Sequence, residues 1–316
     1  MKISGTKVVI VGAGMVGSAV AFCITTKGVS GEVVLVDVNR EKALGEVLDL
    51  QHSIEYQDRN VRLSAGTYED CSDADIVVIT ASVPMSGVKN RLEMLEKNIK
   101  IMDSVVDSIM ASGFNGHILV VSNPVDVLSY YVYKRSGLPR AQVIGTGTAL
   151  ETARLNHIIG HRMRIDPRSV QGYAIGEHGD SMMVPWSHVR VGGKGFDEIM
   201  EDNPERFENM DLDQLVEETA KAGFEVLKRK GSTQFGIASA VTAIISSILR
   251  DENRMITVST LLDGEYGEKD VFCGVPAILG KEGVVEIGEF RLTAEETNKF
   301  KKSINIIRSS IKTIDM

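Results

Sequence analysis

Cysteine is scarce in this 316-residue chain: there are three, Cys23, Cys71 and Cys273, with no CxxC pair among them. That number and spacing argue against a disulfide framework or a thiolate metal site and fit a reducing cytoplasm. Basic residues are outnumbered 35 to 43, giving a formal charge of −8 without a basic block or aromatic-basic interleaving. A nucleic-acid groove is therefore not expected, and small anions must be captured by individually placed arginines. No run offers the roughly 20 apolar residues of a membrane span. The uncharged stretch VVIVGAGMVGSAVAFCI, residues 8–24, imitates a signal peptide, but a short β-branched strand, three spaced glycines and a helix explain more of it. Repeats and low-complexity tracts are missing, as are a GxSxG elbow, an HExxH pair and a P-loop lysine. Hydrolase and kinase chemistry thus lack their residues. His157 and His161 share a helix face, but no third ligand has helpful spacing, so no metal is expected.

What the chain does contain is a series of short apolar runs, KVVIV, EVVLVD, ADIVVIT, HILVVS and AQVIGTG, alternating with helical segments through its first half. Strands covered on both faces by crossover helices read as continuous Val/Ile runs, so the pattern predicts an α/β fold with a doubly wound parallel sheet of Rossmann type. Arg91 to Met110 repeats apolar residues at helical spacing and stops at Gly113. After about residue 146 the texture changes to a long helix, strand-like pieces near 171–175 and 188–191, an acidic solvated helix and a terminal hairpin. The expected division is a dinucleotide-binding domain, 1–145, and a mixed α+β substrate domain, 146–316.

Gly12, Gly14 and Gly17 form GAGMVG directly after KVVIV, and Asp37 ends the next strand, 20 residues beyond the last glycine. The glycines permit a tight turn, close backbone approach to a pyrophosphate and close helix-strand packing, while the helix N-terminus favours negative charge. Asp37 would accept hydrogen bonds from the adenosine ribose and repel a 2′-phosphate, which selects NAD over NADP. Ligands of an open parallel sheet bind beyond the carboxyl ends of its strands. Those ends carry Met15 and Val16 after the glycine turn, Thr80 and Ala81, Ser122 and Asn123, and further on Glu151, Arg154 and His178. The first three pairs are expected to line the cofactor.

With these motifs in this order, GAGMVG, Asp37, Arg91, SNPVD, GTGT…TAR and IGEHGDS, the chain resembles the lactate/malate dehydrogenase superfamily over nearly its whole length. The resemblance implies an NAD-dependent L-2-hydroxy acid dehydrogenase, a homotetramer or sometimes a homodimer. Its chemistry suits the residue types. Arg154 can grip a substrate carboxylate bidentately, His178 titrates near neutrality and can exchange a proton with the substrate oxygen, and Arg91 would polarise the carbonyl. Asn123 and Thr233 would line the substrate pocket, as the resemblance implies.

Departures from the pattern bear on specificity. The resemblance places an aspartate at position 151 to orient the histidine; Glu151 stands there, and its extra methylene leaves either His178 or Arg154 as its partner. Relatives activated by fructose 1,6-bisphosphate use an arginine and a histidine where this chain has Asn156 and Gln171. Neither is cationic, so no such activation is expected. At the loop position that separates substrates, Met85 cannot pair with a second carboxylate, which counts against malate dehydrogenase, and an adaptable thioether suits an apolar group. Pyruvate is the expected substrate. Bulkier 2-oxo acids of the L-2-hydroxyisocaproate dehydrogenase type are the alternative, and a non-catalytic dinucleotide-binding redox sensor is the reading from another class.

Overall fold

Continuous Val/Ile runs cannot expose either face to water without cost, and here they become the centre of one twisted sheet. The computed structural model describes residues 5–83, 91–208 and 210–314. Strands β1 (Lys7–Val11), β2 (Glu32–Val36), β3 (Arg62–Ala65), β4 (Ile76–Ile79), β5 (His117–Val120) and β6 (Val143–Gly145) are parallel, in the spatial order β6-β5-β4-β1-β2-β3. This is the doubly wound arrangement expected from sequence, with the order reversing between β1 and β4. Strand β3 went unread because it is an edge strand: only Leu63 of its four residues is buried, so it has no apolar run to announce it.

Helices α1 (Met15–Lys27), α2 (Arg40–Ser53), α3 (Arg91–Ala111) and α4 (Val125–Ser136) cross between these strands. Alternate strand residues face opposite layers. Val8 and Ile10 join Val20 and Ile24 of α1, whereas Val9 and Val11 join Met102 and Val106 of α3 and Leu128 of α4. Each such side chain, fully buried, contributes roughly 1.5–3 kcal/mol.

The second half begins with α5 (Ala149–Met163). The expected strand pieces shrink to a three-stranded ribbon of β7 (Val170–Gln171), β8 (Arg190–Val191) and β9 (Lys194–Gly195), with Ile175 and Met183 forming an isolated bridge. There follow α6 (Phe196–Asp202), α7 (Pro204–Phe207), α8 (Leu212–Lys230) and α9 (Phe235–Leu249). Then come β10 (Arg254–Asp263), β11 (Lys269–Gly280), β12 (Gly283–Ile287) and α10 (Ala294–Ile311).

The terminal hairpin is present, but it does not start a separate sheet. Strand β10 pairs antiparallel with β6 at Ser259–Gly145, and β11 and β12 continue outward to make nine strands. Helix α9 adds Ile244, Ile245 and Ile248 to the layer over β1, while Phe272 of β11 and Phe300 and Ile304 of α10 join the opposite layer. A smaller core, with Leu155, Ile159, Phe196 and Phe207, holds α5 to α6 and α7. Among the described residues no helix is long and apolar enough to cross a membrane.

Candidate active site

The glycine-rich turn is built by exclusion. Gly12 has φ +109°, and a Cβ there would lie 2.7 Å from Thr80 Oγ1 and 2.9 Å from the Ala81 nitrogen; one on Gly17 would lie 1.8 Å from the Gly12 carbonyl oxygen. Gly14 is different: a Cβ on it would meet open space within 4 Å. It caps α1 without any side-chain hydrogen bond to the first helical N–H groups. An uncapped helix start beside open space suits a pyrophosphate, whose oxygens accept from those donors. Asp37 accepts the Ala13 N–H at 2.7 Å and the Asn39 N–H at 2.8 Å, so its carboxylate is locked at the tip of β2. Met15 is more than half exposed beside the turn, and Val16 packs partly into the core.

Two further strand ends are joined to this turn. Thr80 donates to the Gly12 carbonyl at 2.9 Å, and buried Ser122 donates to the Ala81 carbonyl at 2.7 Å. The Ser122 hydroxyl therefore ties the loop after β4 to the end of β5. Asn123 is exposed, with its carbonyl held by Asn98 Nδ2 at 2.7 Å; Asn98 Oδ1 in turn accepts the Val83 N–H at 2.9 Å. Sequence reasoning missed Asn98. Its signal was a polar residue, only 1% exposed, inside the apolar stripe of α3 between Leu95 and Met102.

Beyond β6 the chain turns directly into α5, which carries Glu151 and Arg154 one helical turn apart, and a loop brings His178 to them. Glu151 lies between the other two. Its Oε2 is 3.0 Å from His178 Nδ1 and its Oε1 accepts from Arg154 Nη1 at 2.8 Å. Both partners left open by the sequence are thus engaged by one carboxylate. Glu151 retains 4% of its side-chain accessibility, Arg154 17% and His178 27%, so the histidine keeps an open edge above a closed floor.

Burial alone would lower the imidazole pKa, but the charge of Glu151, its hydrogen bond and the charge of Asp126 outweigh burial and hold it above the ordinary histidine value. Burial works on Glu151 in the upward direction, and His178 and Arg154 reverse it, leaving the carboxyl below its usual range. With Nδ1 facing Glu151, Nε2 is the ring nitrogen turned away from that carboxylate. Helix α8 lies directly against Arg154: a Cβ on Gly223 would be 2.9 Å from Arg154 Nη2. Thr233 is half-buried in the turn from α8 to α9, both of which pack on α5, through Gly223 against Arg154 and Gly236 against Leu150. Met85 lies outside the described residues, as does the side chain of Arg91, whose backbone begins α3. His157 and His161 are both exposed on α5, and among the described residues no group of three or more His, Cys, Asp or Glu is arranged to hold a metal ion.

A dinucleotide-binding sheet whose strand ends converge on an imidazole, its carboxylate and a guanidinium defines a nicotinamide-dependent dehydrogenase of 2-hydroxy acids. Residues 6–145 match the lactate/malate dehydrogenase NAD binding domain, and residues 148–315 match the alpha/beta C-terminal domain of the same family. The chain belongs to the lactate/malate dehydrogenase family, and its cofactor is NAD. It is 50% identical over 314 residues to L-lactate dehydrogenase 3 of Bacillus cereus, covering 99% of each chain. To L-lactate dehydrogenase 1 of Bifidobacterium longum it is 51% identical, covering 96% of each. The crystal structure of the minor L-lactate dehydrogenase of Enterococcus mundtii, in its ligand-bound form, superposes with a TM-score of 0.96 at 43% identity over all of both chains.

Proposed function

We propose that the protein is an L-lactate dehydrogenase that reduces pyruvate to L-lactate and catalyses the reverse reaction. The observation that carries the 2-hydroxy acid chemistry is the single carboxylate of Glu151 bridging His178 Nδ1 and Arg154 Nη1, and similarity to L-lactate dehydrogenases over the full chain supports lactate as the acid. Bound NADH supplies the hydride. Arg154 pairs with the substrate carboxylate, which places the carbonyl oxygen beside His178. Protonated His178 donates from Nε2 to that oxygen, and Glu151 stabilises the cation beforehand and keeps the ring oriented. In the reverse direction neutral Nε2 accepts the hydroxyl proton. Arg91 polarises the carbonyl from the start of α3, and Asn123 and Thr233 line the pocket. The α1 N-terminus with Gly12, Gly14 and Gly17 would hold the pyrophosphate, and Asp37 the ribose.

Met85 leaves the substrate's remaining group apolar, which favours pyruvate over oxaloacetate. Asn156 supports the absence of fructose 1,6-bisphosphate activation: its Oδ1 accepts the Gly172 N–H at 3.0 Å, so it is neutral and already engaged, and Gln171 beside it is neutral too. We read the protein as a homo-oligomer, a tetramer with a dimer as the smaller form, from its family membership. Three free cysteines, two of them buried, suit a reducing cytoplasm. We place the domain division at 145/146, with the dinucleotide-binding residues before it and Glu151, Arg154, His178 and Thr233 after it, while Met85, Arg91 and Asn123 reach the substrate from the first domain. NADH oxidation by purified protein against pyruvate, oxaloacetate and 2-oxoisocaproate, each with and without fructose 1,6-bisphosphate, tests the reading. Pyruvate should have the highest kcat/KM and the bisphosphate should leave it unchanged. A clear preference for oxaloacetate would refute the role given to Met85, one for 2-oxoisocaproate would move the substrate to bulkier acids, and a large fall in KM with the bisphosphate would refute effector independence.

A further inference from the structure

Beneath His178 lies a second carboxylate that the chemistry above does not use. Asp126, in the first turn of α4, is 3% exposed. Its Oδ2 accepts the main-chain N–H of His178 at 2.7 Å, and its Oδ1 accepts the hydroxyl of Ser259, from β10, at 2.6 Å. The loop is gripped on either side as well. Ser303 of α10 accepts the Glu177 N–H at 2.8 Å, and Gly176 exchanges two backbone hydrogen bonds of 2.8 Å with Gly274 of β11. Of these holds, only the one on His178 itself is charged.

The charged groups facing the imidazole are Glu151 and Arg154 from α5 and Asp126 from α4, with Glu177 beside it on the loop; β10, β11 and α10 present neutral Ser259, Cys273 and Ser303 to this network. Burial pushes the Asp126 carboxyl up to about 6, against the pull of Ser259 and the His178 N–H. A neutral side chain of the same shape would therefore be easier to bury at neutral pH.

We propose that Asp126 is a positioning residue for the reaction: it fixes the main chain of His178 so that the ring stays on Glu151, and its charge adds to that of Glu151 in favouring the protonated imidazole. This rests on His178 being the acid/base. Asp126→Asn keeps the shape, since the amide oxygen still accepts the His178 N–H and the Ser259 hydroxyl turns to accept from the amide nitrogen, but it removes the charge.

The experiment compares Asp126→Asn, Ser259→Ala and His178→Asn in steady-state pyruvate reduction across pH, with Tm and NADH binding measured alongside. For Asp126→Asn, kcat should fall about tenfold or more with KM changed far less. The alkaline limb of kcat/KM should move to lower pH, while Tm and NADH binding are retained. Ser259→Ala should lose a smaller part of kcat. Wild-type kcat and an unmoved limb in Asp126→Asn, with His178→Asn inactive, overturn the inference and leave the active-site reading standing. Turnover retained by His178→Asn overturns that reading and the inference with it. If Asp126→Asn does not fold, Ser259→Ala decides, and an unchanged kcat there counts against the role.

Discussion

Glu151 has one methylene more than the aspartate expected at its position, and the added reach is used to touch His178 and Arg154 at once. In the proposed mechanism protonated His178 is required for reduction, so activity should fall as pH rises through its raised pKa. Removing the Glu151 charge lowers that pKa, and the alkaline limb should move to lower pH. We expect Glu151→Gln to lose kcat on the order of 100-fold and Glu151→Asp, which keeps the charge at shorter reach, to lose less; pH-rate profiles of both check this, and an unmoved limb in Glu151→Gln would count against the pairing. The same pair bears on stability, with opposite signs. The contribution of His178 is full below the unfolded pKa of about 6.5 and is lost as pH rises through its higher folded value. That of Glu151 is full above its unfolded pKa and is lost as pH falls through its lower folded value. The pair therefore favours the folded state most in the interval between. The candidate site residues Glu151, Arg154 and His178 were legible in sequence because the proposed chemistry restricts their type. Asp126 was not, because a carboxylate shows its meaning only through a partner 52 positions away.

At the scale of elements, the strands and glycine turn were legible because burial on both faces leaves a continuous apolar signature, and edge strand β3 was not because half of it meets water. The pieces near 171–175 and 188–191 were overestimated, since β7 and β8 have two residues each, and β9 went unread because two-residue strands make almost no pattern. Helix α3 shows what apolar periodicity hides. Asn98 replaces an apolar residue on its inner face and ties the loop after β4 to the loop after β5, so one helix sets the spacing of two strand ends at the site. Truncation leaves the Val83 N–H and the Asn123 carbonyl without this partner. Asn98→Ala should cost about 1–3 kcal/mol in stability and raise KM for both cofactor and 2-oxo acid, which denaturant titration and initial-rate kinetics would measure together. Lost stability with unchanged KM values would mean that the bridge serves the fold alone.

At the scale of the whole molecule, two of the three cores among the described residues draw side chains from both sides of residue 145, and the β6–β10 pairing runs one sheet through that boundary. The composition change there was legible; the shared sheet was not, because a hairpin's pairing partner is a non-local choice. Thermal unfolding followed at the cofactor site and at the single Trp186 should therefore give coincident transitions, and two separated ones would show the halves melting independently. The nine-stranded sheet also limits how this protein can be cut and recombined. A chain severed after Gly145 would leave β6 without its antiparallel neighbour and strip α9 from the layer over β1, exposing a bare strand edge flanked by apolar surface. Such a fragment invites self-association, so a transplantable cofactor module would have to take residues 235–287 with it.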